Sequence, residues 1–143
     1  MSDIVVKQKI ARPPAAVAKI MFDPANDPKW IDGAKKVEPF AGDPLAIGTR
    51  VKRRGAFWSR DFTWITETIA HEPETTFAFK YVEGPMTGEV TYSIAPDSEG
   101  ATVTIRHAGA TLAMPGAESF LKRTLQGDLG RLKRLVEKQA NSS

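Results

Sequence analysis

The stretch GAESFLKRTLQGDLGRLKRLVEKQ, Gly116 to Gln139, decides how the rest of the chain is read. Leu121, Leu125, Leu129, Leu132 and Val136 recur at spacings of three and four, the apolar stripe of an α-helix. Phe120 and Leu135 widen the stripe, while Lys122, Arg123, Asp128, Arg131, Lys133, Arg134 and Lys138 cover the remaining surface. A helix of this length must bury its stripe against something. Gly127 and Gly130 each cost roughly 1 kcal/mol relative to alanine inside a helix, which points to a bend there or a close approach to the packing partner.

That partner lies upstream, where the period is two. Ile4, Val6 and Ile10 share one face of a first strand, which Pro13-Pro14 stops. Proline suits a first helical turn, because its missing N–H has no partner to lose. Val17, Ile20 and Met21 then make a short buried helical stripe that ends at Asp23-Pro24. Asn26-Asp27-Pro28 leads into a second short helical turn at Lys29-Trp30-Ile31. From Ala34 strands take over. Val37 and Phe40 belong to the second, Gly48 to Phe57 forms the third, and the aromatic-rich stretch Phe57 to Ile69 holds a tight turn at Ser59-Arg60 followed by the fourth strand, Phe62 to Ile69. Thr76 to Glu83 is the fifth, with Phe77, Phe79 and Tyr81 on one face. Val90, Tyr92 and Ile94 share a face of the sixth, and Val103, Ile105 and His107 a face of the seventh. Such hairpin-length spacing favours an antiparallel meander of about seven strands. One sheet covered by one long helix can curl around it, and the curl leaves a space between them.

Composition narrows the classes. Of 143 residues 41% are hydrophobic, which supports a core and argues against global disorder. The expectation is one domain over residues 1–140 with a frayed tail at 141–143. Cysteine is absent, so disulfides and thiolate zinc sites are excluded. Two scattered histidines make no metal site, and neither a phosphate loop nor a dinucleotide fingerprint occurs, so no metal or cofactor is expected. The net charge of +3 is mild and spread along the chain, which argues against nucleic acid. The N-terminus lacks a signal-peptide core and no stretch approaches a membrane span, so a cytoplasmic protein is expected, a monomer or homodimer touching membranes at most transiently.

The start Ile10-Ala11-Arg12-Pro13-Pro14-Ala15-Ala16-Val17, then Asp23-Pro24, Trp30, Val37-Glu38, Gly48-Thr49-Arg50-Val51, and the strand from Thr66 to Pro73, together with the C-terminal helix, resemble the SRPBCC superfamily of START-like, helix-grip proteins. The flavour is that of the polyketide cyclase/dehydrase and lipid-transport group. The resemblance implies an α+β helix-grip fold with an apolar cavity, and members that bind lipids, polyketides or other hydrophobic molecules, only some of them enzymes. Fold alone does not choose among these.

Strand parity supplies candidate wall residues. On the third strand Val51, Arg53, Gly55 and Phe57 form the more apolar face, which puts Arg53 inside or at the cavity rim; a buried guanidinium needs a partner or an anionic ligand, and the plainer alternative is pairing with a neighbouring acid or reaching solvent at the sheet edge. The fourth strand is ambiguous: Phe62, Trp64, Thr66 and Thr68 oppose Ile65, Glu67 and Ile69, both partly apolar, and a bulge midway would switch faces. An inward Glu67 would pair with Arg53 or act as an acid or base. His107 is the one histidine within a strand and a candidate acid/base, with Tyr92 or Glu67 beside it. The plainer alternative is a satisfied core histidine. The candidate ligand wall is Trp30, Val51, Arg53, Phe57, Trp64, Phe77, Phe79, Tyr81, Val90, Tyr92, Ile105, His107, Met114, Phe120, Leu121 and Leu125. Functions expected from these are binding of a small hydrophobic or aromatic ligand, a cyclase/dehydratase, or a co-chaperone-like interaction module. Gly33, Gly84 to Gly88 and Gly109 to Gly116 are the segments where a mouth could move.

Overall fold

A computed structural model describes residues 2–57, 60–110 and 116–140. Strand β1 (Ser2–Ile10) leads into helix α1 (Pro14–Met21) with Pro14 in its first turn. A 3-10 turn at Pro24–Asn26, capped by the Asp23 carboxylate on the Ala25 N–H, runs into the single-turn helix α2 (Asp27–Trp30). Six further strands follow: β2 (Ala34–Val37), β3 (Arg50–Phe57), β4 (Arg60–Glu72), β5 (Thr76–Glu83), β6 (Glu89–Asp97) and β7 (Gly100–Ala110). Helix α3 (Ala117–Ala140) ends the fold.

All pairings are antiparallel and the order is β1-β7-β6-β5-β4-β3-β2, a meander in which the first strand returns beside the last. Alternation dictates the inner face. Ile4, Val6 and Ile10 of β1, Val103 and Ile105 of β7, and Val90, Tyr92 and Ile94 of β6 are all buried against the helices. The curled antiparallel sheet around a C-terminal helix is the helix-grip α+β architecture. The second strand ends at Val37 rather than reaching Phe40, and the chain from 38 to 49 runs as a loop tied down by Thr68, whose hydroxyl donates to the Pro44 carbonyl at 2.7 Å.

Strand β4 resolves the parity question. Trp64, Thr66 and Thr68 face inward, and Glu67 faces outward. There its carboxylate lies 3.0 Å from Arg50 Nε and 3.5 Å from Lys80 Nζ, which corrects the expectation of an inward acid. The reason is solvation: an outer-face carboxylate keeps water and two cations, whereas burial would cost its charge. The β4–β5 register shifts twice, between Ile65 and Thr66 in mid-strand and again after Thr68. Beyond the second shift His71 turns inward opposite Phe77 and meets the Phe22 ring edge-on at 6.3 Å. Gly127 and Gly130 are not explained by close approach, since a Cβ at either would meet only an arginine guanidinium at 3.8 Å.

Candidate functional site

Along α3 the stripe divides. Leu129, Leu132 and Val136 are fully buried, packed with Val17, Met21 and Phe77 in one continuous core. Toward the N-terminal end Leu121, Thr124 and Leu125 are only half-buried, and there the sheet and helix stand apart around a hollow of about 90 Å³. Its walls come from Trp30 and Ile31 at the end of α2, Ala34 of β2, Trp64 of β4, Phe79 and Tyr81 of β5, Val90 and Tyr92 of β6, Ile105 and His107 of β7, and Met86 in the loop between β5 and β6. The walls are mostly apolar and aromatic, with Tyr92 touching Trp30 (centroids 5.7 Å) and Phe79 (5.5 Å) edge-on.

Polar groups interrupt this lining. The first is an ion pair. Arg53 Nε donates to Asp27 Oδ2 at 2.6 Å and its Nη1 to Thr66 Oγ1 at 2.5 Å, while the guanidinium carbon lies 5.7 Å from the Phe79 centroid. Both side chains are about 5% exposed. Burial pushes the Asp27 carboxyl up, and Arg53 pulls it part of the way back. The guanidinium is therefore inward, as strand parity requires, and its partner is an acid from α2.

The second is Asp128, 3% exposed on α3. Its Oδ1 accepts the Asp32 backbone N–H at 3.1 Å and a hydrogen bond from Arg131, whose Nε in turn donates to the Trp30 carbonyl at 3.0 Å. Burial outweighs these stabilising contacts and pushes its carboxyl up to about 6. The third is the pair of phenols. Burial raises Tyr81 to about 12 and Tyr92 well above its ordinary value, so both hydroxyls are protonated near neutral pH. Trp30 Nε1 is buried without a hydrogen-bond partner among the described residues.

His107 is 1% exposed, and its Nε2 lies 2.7 Å from the Thr87 carbonyl oxygen. A carbonyl only accepts, so Nε2 carries the proton and Nδ1 is bare. Burial holds the imidazole below its ordinary pKa, partly offset by that carbonyl, which keeps the ring neutral near pH 7.

The hollow gathers Trp30, Arg53, Trp64, Phe79, Tyr81 and Val90, and with them Tyr92, Ile105, His107, Leu121 and Leu125. Val51 and Phe77 are buried away from it; Phe77 packs on Phe22 at 5.7 Å. Phe120 is 41% exposed in the first turns of α3, one step off the stripe, and lies outside the lining. The Phe57 side chain, Trp58, Ser59 and Met114 lie outside the described residues, as does the tail 141–143. Asp27, Met86 and Asp128 escaped the sequence reading. Asp128 had a signal: 121, 125, 128 and 132 are spaced four, three and four, so the aspartate sits on the apolar stripe. Among the described residues no cluster of three metal-ligating side chains occurs, and no helix is long and apolar enough to cross a membrane.

The fold and hollow define a helix-grip protein. Over residues 1–137 the chain matches the family described as polyketide cyclase / dehydrase and lipid transport, and it belongs to that family, within the SRPBCC superfamily. Among solved structures it is similar to TTHA0849 from Thermus thermophilus, with a TM-score of 0.80 and 20% identity over 99% of this chain and 100% of the other. It is also similar to the Zhui aromatase/cyclase from Streptomyces sp. R1128, with a TM-score of 0.76 and 14% identity over 97% and 95%. The Aha1 dimer from Colwellia psychrerythraea gives a TM-score of 0.72 and 14% identity over 96% and 97%. At these identities the likeness is one of fold. No curated protein matches the chain at a significant level.

Proposed function

We propose that the chain binds a small, lipid- or polyketide-like hydrophobic molecule in the hollow between the sheet and α3. The observation that carries this reading is the split stripe of α3: its C-terminal half is solid core, while Leu121 and Leu125 face space across from Phe79, Tyr92 and Trp30. Burying ligand surface there would be worth about 25 cal/mol per Å², and the few polar groups would fix orientation.

The hollow's size sets a condition. At about 90 Å³ it is smaller than the roughly 150 Å³ cavity that takes up benzene and the roughly 300 Å³ or more of ordinary ligand sites. A ring-sized ligand enters only if Met86, Leu121 or Leu125 give way. These side chains are all half-buried at the rim, so yielding there costs far less than in the core.

The test is a fluorescence titration with the neutral apolar probe N-phenyl-1-naphthylamine, alongside native mass spectrometry for a ligand retained through purification. Saturable micromolar binding is expected. Leu125→Trp, which fills the hollow, should weaken it at least about tenfold while leaving the melting transition in place. Non-saturable binding, or binding indifferent to Leu125→Trp, rules the reading out.

A second reading, an acid–base enzyme of the cyclase or dehydratase type, is favoured by one observation. Asp128 faces the hollow with its carboxyl pushed up to about 6, suited to exchange protons near neutrality. Glu67 is not available for this role. The reading expects Asp128→Asn to abolish turnover of a cyclising substrate while probe binding persists, and undiminished turnover removes it.

A further inference from the structure

The loop from Gly84 to Gly88 is one rim of the hollow, and we infer that His107 is a positioning residue that props this loop from inside, holding Thr87, and through it Met86, in the wall. The consequence for ligand exchange rests on the binding reading above; the prop itself does not.

The regular β5–β6 pairing stops at Lys80 opposite Glu89. Beyond it one more backbone bond, from the Tyr81 N–H to the Gly88 carbonyl, joins the two legs, and β5 continues along β4 with Tyr81 opposite Thr66. The loop therefore needs other attachments. Its first leg, Gly84 and Pro85, is exposed to solvent on one side, while Gly84 lies against β4, where a Cβ would sit 2.6 Å from Trp64 Cβ. Its second leg carries the ties: the Tyr81 N–H donates to the Gly88 carbonyl at 3.1 Å, Thr87 Oγ1 donates to the Gly109 carbonyl at 3.1 Å, and the His107 imidazole donates to the Thr87 carbonyl at 2.7 Å. Gly88 adopts φ +95°, and a Cβ there would sit 2.1 Å from the Ala108 carbonyl oxygen, so this leg lies directly on the β7 backbone.

Of these ties only the imidazole comes from inside the hollow. Its ring stands 5.6 Å from that of Tyr81, tilted 34°, so it is wedged between the β5 aromatic and the loop. Burying an imidazole is costly unless its polar atoms are met. A leucine would serve as plain wall at that position. The imidazole adds one directed donor, spent on a loop carbonyl two residues from the end of the ladder. With Nε2–H so committed, the ring's work is to set where Met86 stands and hence how wide the rim is.

The experiment compares the whole chain with His107→Leu and His107→Gln, because a glutamine amide reaches the place of Nε2. Exchange of the amide that anchors the loop, the Tyr81 N–H bonded to the Gly88 carbonyl, should quicken about five- to tenfold in His107→Leu, with β1 amides unchanged, and return to within about threefold in His107→Gln. Release of N-phenyl-1-naphthylamine in stopped flow should follow the same order. Unchanged loop exchange in His107→Leu, or a glutamine variant that behaves like the leucine one, overturns the inference. Should His107→Leu fail to fold, the wild-type imidazole decides by long-range proton–nitrogen NMR: a proton on Nε2 supports the prop, and a neutral ring protonated at Nδ1 overturns it. Loop exchange that obeys the pattern in a protein that takes up no probe supports the prop while discarding the ligand reading.

Discussion

The two halves of α3 carry the same stripe and meet opposite fates. At the C-terminal half, Leu129, Leu132 and Val136 are fully buried among Val17, Met21 and Phe77. At the N-terminal half, Leu121 and Leu125 are half-buried and look across a hollow. The packed end is held by side-chain contact together with hydrogen bonds from the Ala11 N–H to Glu137 at 2.8 Å and from Arg12 to the Val136 carbonyl at 3.1 Å. The open end has less apolar contact and relies on polar ties: Arg53 to Asp27, Arg131 to the Trp30 carbonyl, and Asp128 to the Asp32 N–H all fix the segment around α2. The difference teaches how a sheet and a helix leave a space between them without collapsing. At the open end, directed bonds from the segment around α2 hold the walls where apolar filling is incomplete.

Removing one tie has the largest expected effect. A buried pair contributes little net stability, but stripping one partner leaves an uncompensated charge. Arg53→Met should therefore cost about 3–5 kcal/mol in urea denaturation near pH 7, and Asp27→Leu on top of it should recover most of the loss. A cost under about 1 kcal/mol would mean the open end does not depend on the pair. Next comes the packed end. Leu132→Ala should cost about 3 kcal/mol, because the cavity it leaves is enclosed on all sides, with no effect on probe binding beyond that of lowered stability.

Acidity separates the ends next. Asp128 has a folded-state pKa raised to about 6 from 3.8, so the folded protein binds a proton that the unfolded chain gives up. Its contribution to stability is fully present below the unfolded value and is lost as pH rises through about 6. Wild type should lose about 2 kcal/mol relative to Asp128→Asn between roughly pH 4.5 and 7, read from urea midpoints at several pH values. Asp27, also raised, tilts both proteins in the same direction and cancels in the difference. A difference flat in pH would remove Asp128 from the buried ties of the open end.

Most of the fold was legible because period is a local property. Val90, Tyr92 and Ile94 alternate, the α3 stripe repeats every three or four residues, and Pro13-Pro14 punctuates strand from helix; each is readable within about ten residues. Arg53 was legible by the same parity. The site was less so, because it is made by tertiary meetings. Asp27 reaches Arg53 across 26 positions and Thr87 meets His107 across 20, and no local pattern announces either. Glu67 was unreadable for another reason: both faces of β4 are half apolar, so the neighbours Arg50 and Lys80 decided its direction. Asp128 was misjudged by residue type, since a charge on an apolar stripe reads as surface unless its spacing is weighed.

The smallest effect is the most informative about the open end. Leu125→Ala should cost under about 1 kcal/mol, because the side chain is half-exposed and shortening it merges new space with an existing hollow rather than opening a sealed one. The same change widens the hollow, so the ligand-binding reading expects larger apolar probes to gain affinity over N-phenyl-1-naphthylamine in paired titrations. If Leu125→Ala instead costs as much as Leu132→Ala, the two halves of the helix are equally packed in solution. The contrast on which the binding site is argued is then absent.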